Sequence, residues 1–129
     1  RMEPGHHDRV LAIVSHLPHL IAFTICNTAD HLEQEAKEQV MDYAASGFRD
    51  FTRIASSSPE MWRDICLANR EALLEQIEAY QTELNSLRDL LKKHDGEALE
   101  RAFSQARGMR EDWLKKRLDY RNILTIKKE

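Results

Sequence analysis

Between Pro59 and Gly96 the chain contains neither glycine nor proline, and Leu73, Ile77, Tyr80, Leu84, Leu87 and Leu91 recur there at alternating spacings of four and three. That spacing is the seam of a helix that buries itself against another helix. A strand could not use it, because its side chains alternate with a period of two. The start is specified as well. In "SSSPEMW", Ser58 can cap, Pro59 suits the first helical position, where no N–H is needed, and Glu60 favours the positive end of the dipole. The pattern predicts one helix over about 59–93, roughly 50 Å long at 1.5 Å per residue. A 129-residue globule has a radius of gyration of about 14 Å. Part of the seam is therefore expected to belong to a second subunit, which predicts a homodimer of interlocked helices.

The rest of the chain is read the same way. Apolar positions 10, 13, 14, 17, 20 and 21 recur at helical spacing and predict a helix over about 6–29. "NTADHLEQE" supplies caps for a second helix over about 30–45, with Gly47 as its stop. "GFRDFTRIASSS" reads as a short helical or irregular connection. Asp95 is positioned to cap a last helix with Leu99, Phe103, Ala106, Met109 or Arg110, and Trp113 on one face, folding back antiparallel across "KHDGE". No alternating segment opposes an all-α fold, taken here as one helical domain over 1–129.

Composition narrows the function classes. With 42% apolar and 32% charged residues, four glycines and three prolines, the chain has the balance of a folded helical protein. At this length it is expected to bury about two thirds of its unfolded surface. "VLAIV" and "LIAFTIC" fall short of a membrane span and are broken by histidine and proline, so no membrane association is expected. No signal peptide is visible, and the cytoplasm is the default location. Cys26 and Cys66 lie 40 residues apart without a CxxC pair, arguing for neither a disulfide framework nor zinc. From Arg110 onward seven Lys or Arg face four acids, within a net charge of -3. Without a known reading motif this basic end is weak evidence for a nucleic-acid surface, and no nucleic-acid partner is expected. Gly5, Gly47, Gly96 and Gly108 are too scattered for GxGxxG or a P-loop, and "RMEPGHHD" reads as the start of a piece cut from something longer.

Three polar clusters remain. On an ideal helix Ser15, His16 and His19 gather within an arc of roughly 100°, opposite Val10, Ile13, Val14, Leu17, Leu20 and Ile21. Pro18 beside them costs about 3 kcal/mol in a helix interior and predicts a kink and a free carbonyl. The histidines are either satisfied core residues beside a packing kink or one wall of a site. In "GFRDFTRIA", Asp50 lies three residues before Arg53, so it can orient a guanidinium whose other edge grips a carboxylate. The alternative is a solvated surface ion pair. Met61 and Trp62, on a first helical turn, either wall a pocket for a flat ring or are plain core.

Taken in order, "HD(x)6SHLPH", "GFRDFTRIA" and "PEMWRDICLANRE" resemble the C-terminal helical domain of bacterial prephenate dehydrogenases, also called cyclohexadienyl or arogenate dehydrogenases, over about residues 3–107. The resemblance implies a long-helix dimerisation domain of the 6-phosphogluconate dehydrogenase C-terminal type. In the family it follows a Rossmann domain that binds NAD or NADP and carries the principal catalytic histidine, so the isolated chain is expected to be inactive and to bind no cofactor or metal itself. The implied reaction is oxidative decarboxylation of prephenate to 4-hydroxyphenylpyruvate, or of arogenate to tyrosine, with tyrosine a candidate inhibitor in the same cleft. By this resemblance His19 contacts substrate, with Ser15 and His16 in support. Arg53 binds a substrate carboxylate, Asp50 is its neighbouring acid near the dimer interface, Met61 and Trp62 line the pocket, and His7 and Asp8 match the "HD" pair. Ser46-Gly47 stands where a Gly-Gly pair is common, and residues 108–129 read as an extension beyond the resemblance.

Two other readings compete. A metal-dependent hydrolase could use "HD" and further histidines, but needs three or four converging ligands. On a straight helix His7 points roughly 120° away from His19. A purely structural dimerisation module would share the fold and never touch a ligand.

Overall fold

The computed structural model describes residues 3–43 and 46–128, and every element in them is helical. Helix α1 (Pro4–Leu11) passes through a π-helical segment, Ala12–His16, into α2 (Leu17–Asp30). A π segment stands where the kink is expected. Pro18 has no N–H to donate, and its ring would crowd the carbonyl four residues back. Widening the preceding turn, so that the Leu17 N–H donates to the Ala12 carbonyl, makes room while the backbone stays helical.

The segment that looked too broken to span a membrane is thus one helix, Pro4–Asp30, whose best 18-residue window has a mean hydropathy of 1.6. By length and composition alone it could cross a bilayer. Ala12, His16, Leu17 and Ala22 are nevertheless buried within the chain, whereas Ile13, Val14 and Ile25 on the same helix are exposed. The expected sidedness is therefore partly reversed, with a histidine inside and aliphatic residues outside.

Helix α2 continues to Asp30, so α3 begins at Gln34 (Gln34–Tyr43) rather than near 30, and Lys37 reaches back to Asp30 in an ion pair. Residues 44 and 45, the end of the predicted second helix, lie outside the described residues. Gly47 sits inside α4 (Ser46–Thr52) instead of ending the helix before it. A 3-10 turn, Arg53–Ser56, follows, and both α4 and this turn pack on α2. Helix α5 (Pro59–Ala68) starts as the sequence predicts, with the Ser58 Oγ accepting the Met61 N–H at 3.2 Å.

The single helix expected over 59–93 is two helices. Asn69 (φ -115°, ψ 37°) separates α5 from α6 (Arg70–Lys92). The interruption is local: the Asn69 N–H still donates to the Ile65 carbonyl at 3.1 Å, and its own carbonyl accepts the Leu73 N–H at 3.0 Å. Why the helix breaks there becomes clear from where the Asn69 side chain goes.

The chain divides into two compact units, Arg1–Gln81 and Thr82–Glu129. The first holds all the buried side chains found among the described residues: Ala12, His16, Leu17, Ala22, Trp62 and Leu73. This core is much smaller than a 129-residue globule should have. In the second unit the seam residues Leu84 and Leu91 stay exposed. So do Phe103, Met109 and Trp113 of α7 (Gly96–Lys128), on the face expected to fold back, while Leu99 of that face is half-buried.

The joint between α6 and α7 is a Schellman turn. His94 stands in the left-handed region (φ 54°), its N–H donates to the Leu91 carbonyl, and the Asp95 N–H donates to the Leu90 carbonyl. Asp95 then caps α7 as predicted, its carboxylate accepting the Ala98 N–H at 3.0 Å. A side chain with a Cβ is disfavoured at that φ. His94→Gly is expected to stabilise the chain by about 0.5–1 kcal/mol, read as a higher denaturant midpoint. An unchanged or lower midpoint would show that the histidine carries no conformational cost there.

Candidate functional site

Four of the sequence-predicted residues meet around Trp62, and the reason lies in the π segment and the broken helix. Trp62, on the first turn of α5, is 8% exposed. The His19 ring lies flat on it, with centroids 3.6 Å apart and 18° between planes, and the His16 ring meets it edge-on at 6.0 Å and 76°. Such stacked and T-shaped arrangements are the favoured ones for aromatic pairs. Ser15 contributes its main chain: its carbonyl accepts the His19 Nδ1 at 2.8 Å. In the neutral ring that bond places the His19 proton on Nδ1 and leaves Nε2 as an acceptor.

The fifth member was not singled out in the sequence. Asn69 Nδ2 lies 2.9 Å from the Asp8 carbonyl and 3.1 Å from His16 Nδ1. A carbonyl oxygen can only accept, so the atom facing it must be the amide nitrogen, and its second hydrogen points at His16 Nδ1. His16 therefore carries its proton on Nε2. Asparagine was visible as a poor helix former in "ICLANRE", inside a stretch otherwise free of breakers. What it bonds to, 53 and 61 residues away, could not be read from spacing.

Burial pushes the His16 imidazole below its ordinary value near 6.5, the neighbouring His19 adds to this, and Asp8 acts the other way. Burial likewise pushes the Cys66 thiol up, making it a poor nucleophile, and both Cys26 and Cys66 are free thiols.

The remaining predicted residues stand apart from this cluster. Arg53 and Asp50 are both exposed, and no ion pair joins them, contrary to the expected i,i+3 bridge. Both side chains lie in solvent, where such a pair gains little over hydration. Arg53 still rides on a turn packed against α2, the helix that carries His19. Met61 is half exposed beside Trp62, and His7 is exposed on α1. Asp8 touches the cluster through its carbonyl. Among the described residues no three His, Cys, Asp or Glu side chains converge, so the metal-dependent hydrolase reading has no ligand set.

The family profile for the dimerization domain of prephenate dehydrogenase matches residues 3–105. The chain belongs to the prephenate dehydrogenase dimerization-domain family. It is 38% identical over 109 residues to a cyclohexadienyl dehydrogenase of Zymomonas mobilis, covering 84% of this chain and 37% of that protein. A prephenate dehydrogenase of Bacillus subtilis is 40% identical over 110 residues, covering 85% and 29%. The chain thus spans about a third of the length of these curated relatives. Among solved structures, a prephenate dehydrogenase of Aquifex aeolicus in complex with hydroxyphenyl propionate and NAD+ superposes with a TM-score of 0.79 at 39% identity, covering 86% of this chain and 38% of that one. Synechocystis arogenate dehydrogenase gives 0.83 at 26% identity, covering 87% and 41%.

In this dimerization domain the neutral His16 makes acid stability measurable. An unfolded His16 takes up a proton near pH 6.5, the folded one only at lower pH. Between those values the unfolded state holds more protons, so stability falls as pH drops and is fully present above about pH 6.5. The wild-type denaturant midpoint is expected to fall below that pH more steeply than that of His16→Gln. Parallel pH curves would show that His16 titrates alike in both states.

Proposed function

We propose that this chain is the dimerization and substrate-binding part of an NAD(P)-dependent prephenate or arogenate dehydrogenase. The whole enzyme would oxidatively decarboxylate prephenate to 4-hydroxyphenylpyruvate, or arogenate to tyrosine. The observation that carries the reading is the His19 ring, laid flat on a buried Trp62 with its Nδ1 tied to Ser15. It offers a fixed acceptor, Nε2, beside an aromatic wall, in a family whose Aquifex aeolicus member was solved with an aromatic carboxylate and NAD+. A compact ring with a hydroxyl donor suits that acceptor, and a carboxylate suits Arg53.

The roles follow from these placements. His19 orients the substrate hydroxyl, while Ser15 holds the His19 ring through its carbonyl and His16 holds it through Trp62. Arg53 grips a carboxylate, Met61 closes the apolar wall, and Asp50, His7 and Asp8 support the rim. NAD or NADP would be held by another part of the enzyme, which would also supply the principal catalytic histidine. The exposed Ile13, Val14, Leu84 and Leu91 are proposed to be covered by a second copy of the chain, in the cytoplasm rather than in a bilayer.

The test is an assay of the full-length enzyme with each substrate and each dinucleotide. Prephenate- or arogenate-dependent reduction of NAD+ or NADP+ with release of CO2 is the expected result. The absence of turnover with every combination would overturn the reading.

A further inference from the structure

Asn69 is placed where a helix should continue, and its side chain does not do what an asparagine at a helix start usually does. An asparagine whose carbonyl accepts the first helical bond normally turns its Oδ1 onto a free N–H of the first turn. The Asn69 carbonyl does accept the Leu73 N–H, yet its carboxamide points away from α6 to Asp8 and His16 on α1 and the π segment. Both amide hydrogens are used. This is an arrangement in which one side chain has no freedom to turn: flipping the amide would set Oδ1 against the Asp8 carbonyl and lose that bond.

The consequence runs on through the rings. His16 is 9% exposed, and its ring plane is set by Asn69 at Nδ1 and by the Trp62 face it meets edge-on. Trp62 in turn carries the His19 ring. The groups facing His16 are His19 and Asp8 along its own helix, Trp62 from α5 and Asn69 from the α5–α6 joint. Of these only Asn69 hydrogen-bonds the His16 ring. A break in the helix at residue 69 is what brings the amide within reach.

We propose that Asn69 is a positioning residue: its carboxamide holds His16 in the single tautomer with the proton on Nε2 and, through His16 and Trp62, sets the plane of the His19 ring. The proposal rests on the reading of His19 as a substrate contact for its effect on turnover, but not for its structural content. An amide that only joined two helices would leave the tautomer of a neighbouring imidazole where solvent puts it.

Two variants and two measurements test it. Asn69→Asp keeps a good helix-starting residue of the same shape but replaces the donor with an acceptor; Asn69→Ala removes both bonds. The first measurement is nitrogen NMR of the 129-residue chain labelled at histidine, which distinguishes the two neutral tautomers and the imidazolium. The wild-type His16 is expected as the Nε2–H form, Asn69→Ala as a mixture with a shifted His19 signal, and Asn69→Asp with a proton on Nδ1 and protonation persisting to higher pH. The second is steady-state kinetics of the full-length enzyme. Asn69→Ala is expected to raise KM about tenfold, the effect of losing one hydrogen bond between a turned His19 and the substrate, with kcat little changed. The acid limb of kcat/KM is expected to move to higher pH in Asn69→Asp. A His16 tautomer unchanged in Asn69→Ala, or an unshifted His19, would overturn the proposal. A changed tautomer with unchanged KM would overturn its link to substrate. If the full-length enzyme shows no turnover, the functional reading falls, while the NMR result still decides what Asn69 does.

Discussion

Trp62→Ala is expected to destabilise the 129-residue chain by about 3–5 kcal/mol, the usual cost of emptying a buried tryptophan site. The size of the effect follows from how little else is buried. Trp62 is the largest side chain in a core whose other buried apolar members are Ala12, Leu17, Ala22 and Leu73. It also carries two ring contacts, and the stacked one with His19 adds about 0.5–1.5 kcal/mol beyond burial. A domain of this size has a total stability of about 5–15 kcal/mol, so the loss would take a large share of it. Trp62→Phe separates the two contributions, because it keeps a flat face for His19 and gives up part of the volume. Denaturant unfolding followed by far-UV circular dichroism should place Trp62→Phe between wild type and Trp62→Ala. A loss below about 1 kcal/mol for alanine, the range of a surface site, would mean that the ring is not the centre of this core.

Arg53→Ala is expected to raise KM for prephenate or arogenate in the full-length enzyme far more than it lowers kcat. Arg53 is exposed here and pairs with no acid among the described residues, so it is free to take a carboxylate. The magnitude distinguishes two situations. A guanidinium that grips a carboxylate in a closed cleft is worth about 2–5 kcal/mol on truncation, roughly 30-fold to several-thousandfold in binding. One that meets the substrate only in solvent is worth about 1 kcal/mol or less. Arg53→Lys keeps the charge but not the two parallel donors, and should fall between wild type and alanine. An unchanged KM in Arg53→Ala would remove Arg53 from the substrate site.

Most local signals read well, and long-range ones did not. The all-α class, the Ser58 and Asp95 caps and the grouping of Ser15, His16 and His19 all rest on contacts within a few residues, where helix geometry ties position in the chain to position in space. The misplaced features were decided by the backbone's own geometry, by solvent or by a distant partner. Just before Pro18 the chain takes up a π segment, a widened turn that relieves the proline while the helix continues. The Asp50–Arg53 bridge is absent, both side chains lying in solvent, where such a pair gains little. The single helix over 59–93 was broken at Asn69, in favour of two hydrogen bonds to residues more than fifty positions away.

His16 shows the division most clearly. Helical periodicity put it on a polar face with Ser15 and His19, and nothing in one helix says whether such a face looks inward or outward. The structure turned it inward, burying the imidazole at 9% exposure while Val14 of the same turn stands at 63%. The reason is physical. A buried imidazole keeps both its ring contacts and a hydrogen bond only where a partner of matching polarity arrives from elsewhere in the chain, and that partner, Asn69, comes from a different helix. Periodicity carries the face a residue occupies. Only packing supplies what that face meets, and hence which nitrogen of His16 holds its proton.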